Sequence, residues 1–142
     1  MTVYLLDTNV ISELAKRQPN AGVMAFVKEA RDIESPLYLS VLTIGEIYKG
    51  IAKLIRYKDH QQAGRLRQWQ EQITMDFADS LLPIDADTTV IWGEVLAATD
   101  DTNAIDKLIA ATALQYDLTL VTRNIDHVLV TGAKCVNPFL ST

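Results

Sequence analysis

The sequence contains a single cysteine, Cys135, so no disulfide can form within the chain. It also lacks any run of about 20 apolar residues, the length that a membrane-spanning helix requires. The apolar start of the chain, residues 3–6, is too short for a secretory signal peptide. Together these absences predict a soluble cytoplasmic protein with no membrane partner.

Glycine and proline are scarce, with six and four residues, and there is no repeat and no Gly/Ser-rich linker. Apolar residues make up 49% of the 142 residues, which is enough to build one hydrophobic core. We therefore predict a single domain over residues 1–142. The net charge of −5 opposes binding to nucleic acid unless the acidic and basic residues occupy separate regions of the surface.

Short apolar runs alternate with amphipathic segments along the chain, which predicts strands alternating with helices. The predicted strands cover residues 3–6, 37–40, 80–84, 118–122 and 134–136. The predicted helices extend from the cap residues 7–9 to about 16, after Asn20 to about 32, and over 42–57, 59–77, 87–99 and 103–116. This order predicts an α/β fold of three layers, with a central, mostly parallel sheet of four to five strands flanked by helices. Pro83 favours an edge position for the third strand.

Polar residues that can bind metal follow several predicted strands. Asp7 ends the first strand, Glu46 lies one turn into the helix after the second, and Asp106 lies in the first turn of helix 103–116. Asn124 and Asp126 follow the strand that ends at Thr122. Because parallel strands end at one edge of a sheet, where binding sites form, these side chains are predicted to meet there.

Each of these residues also has a local explanation. Asp7 is a favoured helix N-cap residue, and Thr43 with Glu46 matches a capping box. Asp106 would complement the positive end of its helix dipole. Asn124 and Asp126 are common in turns. A local role is enough to explain each residue taken alone. The occurrence of all these residues at predicted strand ends favours a functional site.

Clustered carboxylates need a compensating charge. Two of them ~4 Å apart repel by about 4 kcal/mol at an effective dielectric constant near 20. Oxygen ligands favour Mg²⁺ or Mn²⁺, whereas His60, His127 and Cys135 form no paired motif for zinc. Such an ion can activate water and offset the charge that develops on a phosphodiester.

Basic residues flank one of the acids. At helical spacing, Glu46, Lys49, Gly50, Lys53 and Tyr57 share one face of the long helix, opposite an apolar stripe. The stripe consists of Ile44, Ile47, Ile51, Leu54 and Ile55. Arg123 follows another strand, so metal and phosphate could bind side by side. The alternative is a solvated helix surface with an intrahelical Glu–Lys pair.

Five ordered segments resemble the PIN-domain ribonucleases of the VapC and FitB toxin type. They are LLDTNVISEL at 5–14, SVLTIGE at 40–46, DKLIAATA at 106–113, and the closing LVTRN at 120–124 with NPF at 137–139. The resemblance implies a PIN-like fold, Mg²⁺- or Mn²⁺-dependent endoribonuclease activity, and a role as the toxin of a toxin–antitoxin pair. It also implies a homodimer that binds a small antitoxin protein.

By motif position, the resemblance assigns Asp7, Glu46 and Asp106 as the catalytic, metal-binding acids. The fourth position holds Asn124 where some relatives have aspartate, and Asp126 is the alternative there. We predict that substrate is bound by Asn9, Thr43, Lys49, Lys53, Thr122 and Arg123.

Two other functions are compatible with a strand-end aspartate. In a phosphatase or phosphotransfer domain Asp7 would be the nucleophile, although no second aspartate stands two residues after it. In a non-catalytic α/β binding module the acids would be only helix caps.

Overall fold

The structure is a computed structural model that describes residues 2–140. Its strands are β1 (Tyr4–Leu6), β2 (Leu37–Ser40), β3 (Leu81–Leu82), β4 (Thr119–Val121) and β5 (Cys135–Val136). Its helices are α1 (Thr8–Leu14), α2 (Ala21–Asp32), α3 (Val41–Arg56), α4 (His60–Asp76), α5 (Ala86–Ala98), α6 (Ala104–Gln115) and α7 (Ile125–Leu129). Met1, Ser141 and Thr142 lie outside the described residues, and the assignment of 1–142 to a single domain stays a prediction.

The five strands form one parallel sheet in the order β3-β2-β1-β4-β5. The central strand β1 pairs with β2 through Tyr4↔Leu37 and with β4 through Leu6↔Val121. From β1 the chain adds β2 and β3 on one side and later β4 and β5 on the other, so the direction of winding reverses between β1 and β4. In open parallel sheets this reversal point is where ligands bind.

Alternation along the strands divides the core between the two faces of the sheet. Leu5 and Leu120 face one side and contact residues of α6 and α7, including Ile109 and Val128. Leu6 faces the other side and packs with residues of α1 to α4. Because consecutive strand residues point in opposite directions, two adjacent leucines serve two helix layers. The predicted three-layer α/β fold is confirmed.

The predicted helices and strands agree with the structure except at some of their ends and at α7. The short helix α7 was not predicted, because five residues are too few to show a helical period. Ile55, predicted to face the core, is 40% exposed. Pro83 directly follows β3, which is an edge strand as predicted. Among residues 2–140, no helix is both long and apolar enough to cross a bilayer.

The last described residues pack against the start of α2. Asn20 Oδ1 accepts hydrogen bonds from the backbone N–H of Gly22 (2.9 Å) and of Leu140 (3.0 Å), so one side chain caps the helix and holds the C-terminal segment. Gly22 is buried beneath that segment: a Cβ there would lie 2.3 Å from the carbonyl oxygen of Pro138 and 2.7 Å from Leu140 Cγ. The close approach therefore requires glycine.

We expect Gly22→Ala to lower the free energy of unfolding by about 1–3 kcal/mol, the usual cost of overpacking a filled site. Urea denaturation measures the change. Gly64→Ala is the matched control, because Gly64 is exposed in α4 with no neighbour within 4 Å of its Cβ position. The free energy of unfolding of this control should rise by about 0.5–1 kcal/mol, because alanine has a higher helix propensity than glycine. A Gly22→Ala protein as stable as the control would contradict the packing described above.

Candidate active site

Asp7 lies where β1 ends, at the reversal point of the sheet. Its backbone N–H donates to Val121 O (2.9 Å), which continues the ladder with β4 by one residue. Its carboxylate Oδ1 accepts from the N–H of Thr8 (2.7 Å), so Asp7 does cap α1. Oδ2 accepts from the Thr122 hydroxyl (2.8 Å) and from Asn9 Nδ2 (3.3 Å). The cap role and the site role therefore coexist in one residue.

The residues after β4 are fixed through the Thr122 hydroxyl. Besides donating to Asp7, it accepts from Asn9 Nδ2 (3.2 Å) and from the N–H of Asn124 (3.0 Å). The other end of the Asn9 amide accepts from the N–H of Arg123 (3.1 Å). Thr122 is completely buried. Thr122 and Asn9 donate hydrogen bonds to Asp7, and their assignment to substrate binding stays a prediction.

Glu46 reaches the same edge from α3. Its Oε1 accepts from the Thr8 hydroxyl (2.7 Å), which also lies 2.9 Å from the hydroxyl oxygen of Thr43. The capping-box interpretation of Thr43 and Glu46 is wrong, because α3 begins two residues earlier and Ser40 is its N-cap. Thr43, predicted to bind substrate, is fully buried and contacts Thr8.

Asp106 lies in the first turn of α6, as predicted, and its partner is an unforeseen histidine. Asp106 Oδ2 is 3.0 Å from Nδ1 of His127 on α7. Of the two residues predicted for the fourth position, Asn124 is the N-cap of α7 without a side-chain cap bond, and Asp126 is exposed in the first turn of α7. The signal for His127 in the sequence is its spacing: if residues 125–129 are helical, His127 lies about one turn after Asn124.

The electrostatics of Asp7 show that the acids affect one another. The pKa of the Asp7 carboxyl is raised from 3.8 to about 6, mainly by burial and further by the negative charges of Asp106 and Glu46. The hydrogen bonds from Thr122 and Thr8 act in the opposite direction and lower it. A carboxyl group that resists ionisation beside two others would gain from a nearby cation.

The basic residues of the predicted site differ in the contacts that their side chains make. Lys49 and Lys53 are exposed, and within residues 2–140 neither has a carboxylate partner within 4 Å, so the alternative Glu46–Lys49 pair is not found. The guanidinium of Arg123 stacks over the Phe139 ring, 3.8 Å from its centroid, and its Nη2 lies 3.8 Å from Glu13 Oε1. Arg123 remains 54% exposed.

The donor set suits a hard cation that keeps its water. The three acids supply only oxygen, and in the described part of the chain no three His, Cys, Asp or Glu side chains are already grouped to hold an ion. Mg²⁺ commonly takes one or two carboxylates directly and retains several waters. The carboxylate oxygens of Asp7, Asp106 and Glu46 are donors of the type that this ion takes.

A family model described as the PIN domain matches residues 4–132, which include all three acids and His127. The chain belongs to the PIN-domain family. Toxin FitB of Neisseria gonorrhoeae is 34% identical over 96% of this chain and 99% of its own length. VapC ribonuclease Y4jK of Sinorhizobium fredii is 31% identical over 96% of this chain and 98% of its own.

The fold of the chain is also that of solved members of the PIN-domain family. The crystal structure of FitAcB from N. gonorrhoeae superposes with a TM-score of 0.83 at 33% identity, covering 96% of this chain and 98% of that one. The PIN-like fold implied by the sequence motifs is therefore confirmed.

Asp7 should make the metal-free protein less stable at neutral than at acidic pH. Its folded pKa lies above its unfolded value, so the stability present below about pH 4 is lost as the pH rises through about 6. The shift of about two units corresponds to roughly 3 kcal/mol. Urea denaturation in EDTA measures the free energy of unfolding from pH 4 to 8. As the pH rises, this free energy for Asp7→Asn should increase relative to the wild type by up to that amount.

The matched control for this experiment is Asp79→Asn. Asp79 is exposed just before β3, at the amino ends of the strands, whereas Asp7 lies at their carboxyl ends. The Asp79→Asn protein should therefore keep the wild-type pH dependence. Parallel curves for wild type and Asp7→Asn would contradict the raised pKa of Asp7.

Proposed function

We propose that this PIN-domain protein is a divalent-metal-dependent endoribonuclease, with Mg²⁺ or Mn²⁺ as the ion, and that it is the toxin of a toxin–antitoxin pair. The observation that carries the proposal is the buried Asp7 carboxylate at the sheet reversal point, with its pKa raised partly by Asp106 and Glu46. The similarity to a toxin and to a VapC ribonuclease supports the same function.

Asp7, Asp106 and Glu46 would hold the ion. A bound divalent ion lowers the pKa of a water molecule and stabilises the charge that builds up on a phosphodiester during in-line attack. Thr122 and Asn9 keep the Asp7 carboxylate in one orientation by donating to Oδ2. Since these donors come from α1 and the end of β4, the orientation of Asp7 is set by the fold before substrate arrives.

Lys49 and Lys53 supply positive charge for the RNA backbone. They lie three and seven residues after Glu46 on α3, so the helix presents the acid and both ammonium groups on one face. Their exposure, without ion-pair partners among residues 2–140, leaves them available to phosphate. This local arrangement answers the objection raised by the net charge of −5.

The geometry of Asp7 disfavours the phosphotransfer alternative. Asn9 stands where a second aspartate would assist such a nucleophile, and its amide donates back to Asp7. A non-catalytic module gives no reason for Asp106 and Glu46 to lie close enough to Asp7 to raise its pKa.

The proposed partners are RNA, a small antitoxin protein and a second copy of the chain. Exposed apolar side chains lie on or directly after the two helices that carry Asp106 and His127: Ile105 is 47% exposed, and Leu129 and Val130 are each 59% exposed. We propose that these side chains contribute to a surface that binds another protein. The cytoplasmic location stays a prediction.

We expect inducible expression of the wild-type protein in a bacterial host to arrest growth and produce RNA fragments, and Asp7→Asn to abolish both. Asparagine preserves the acceptor for Thr8 N–H but removes the negative charge that would bind the ion. Asp79→Asn should behave as the wild type, since Asp79 lies at the opposite edge of the sheet. Growth arrest and cleavage by Asp7→Asn equal to wild type would refute the proposal.

Lys49→Gln with Lys53→Gln should weaken RNA binding and reduce its dependence on salt. Each lost phosphate contact lowers the slope of log K against log salt by about 0.7 for single strands. Fluorescence anisotropy with Asp7→Asn as the non-cleaving background measures both quantities. Lys134→Gln is the control, because Lys134 precedes β5 at the opposite edge and pairs with Asp117. An unchanged slope would exclude these lysines from phosphate contact.

A further inference from the structure

Each of the three acids in the site is held by a donor from a different element. Thr122 and Asn9 hold Asp7, and the Thr8 hydroxyl holds Glu46. For Asp106, the one hydrogen-bond partner of the carboxylate within residues 2–140 is His127. The orientation of Asp106 therefore depends on a single contact between α6 and α7.

The chemistry of that contact fixes which atom donates. A carboxylate can only accept, so the hydrogen is on Nδ1 of His127, 3.0 Å from Asp106 Oδ2. This bond occupies one oxygen of Asp106 and leaves Oδ1 for another partner. Both side chains are partly exposed, His127 at 43% and Asp106 at 27%, so solvent or an ion can reach the pair.

We infer that His127 is the positioning residue of the metal site, which holds Asp106 through its Nδ1–H so that Oδ1 can bind the cation. This inference rests on the proposed function and extends it to a residue that the acidic motifs do not contain. Without the donor, the Asp106 side chain would sample several rotamers, and the ion would have to select one. Outer partners that orient metal-binding groups typically contribute 10–100-fold to metal affinity or activity.

His127 stands beside the two residues predicted for the fourth position of the site. Asn124 is the N-cap of α7 and Asp126 is exposed in its first turn, whereas the next residue, His127, contacts Asp106 of α6. An imidazole N–H fixes a carboxylate without adding negative charge. Asp7 already experiences repulsion from Asp106 and Glu46, and a fourth acid at this position would increase it.

The test uses two substitutions that differ in the donor. In His127→Asn the amide nitrogen can take the place of Nδ1 and donate to Asp106, whereas His127→Leu is similar in size and has no donor. Mn²⁺ binding to each protein is measured by electron paramagnetic resonance, with RNA cleavage followed in parallel. His60→Leu, a change of an exposed histidine at the start of α4, is the control for loss of an imidazole.

We expect His127→Leu to bind Mn²⁺ about 10–100-fold more weakly than the wild type and to lose kcat at fixed metal. The KM for RNA should not change, because Lys49 and Lys53 are untouched. His127→Asn and His60→Leu should bind Mn²⁺ as the wild type does. The melting temperature in EDTA shows whether each fold is intact, and His127→Ala replaces His127→Leu if the leucine protein melts early.

Two results would overturn the inference while leaving the proposed function standing. One is a wild type that binds Mn²⁺ and cleaves RNA while His127→Leu does both equally well. The other is a His127→Asn protein as weak as His127→Leu, because the shared N–H would then not be the determinant. A wild type that neither binds Mn²⁺ nor cleaves RNA would instead refute the proposed function, and this inference with it.

Discussion

The hydrogen bond between Thr122 and Asp7 joins the two halves of the molecule at the reversal point, between β1 and β4, where the winding of the chain changes direction. It connects the first residue after β1 to the first residue after β4, 115 positions apart in sequence. The pairing of β1 with β4 aligns these strand ends, since Leu6 is opposite Val121. Every other feature of the site is arranged around the carboxylate that this bond orients: α1 begins on it, and the acids of α3 and α6 act on its charge.

Much of the fold could be predicted because apolar runs and helical periods are local signals. Residues 37–40 were predicted as a strand and form β2, and the alanine-rich segment forms α6 with Asp106 in its first turn. The edge position of β3 followed from Pro83, which cannot donate to a neighbouring strand. The general location of the site followed from topology alone, because parallel strands end together.

Details of the site could not be predicted because they depend on contacts between distant elements. Thr43 and Glu46 match a capping box by spacing, but the helix begins at Val41, and both side chains bind Thr8 instead. The helix α7 is too short to leave a periodic pattern, so His127 could not be oriented toward Asp106. Spacing identifies which residues can interact within one helix, whereas the docking of two helices decides which of them do.

The two outer strands of the sheet, β3 and β5, are only two residues long. A short edge offers few backbone groups to an incoming strand, and natural proteins use such edges to avoid sheet-to-sheet aggregation. The layers of helices on both faces cover the rest of the sheet. The edges of the sheet therefore offer little backbone to a partner protein, and the side chains on the helix surfaces form most of the surface that a partner could contact.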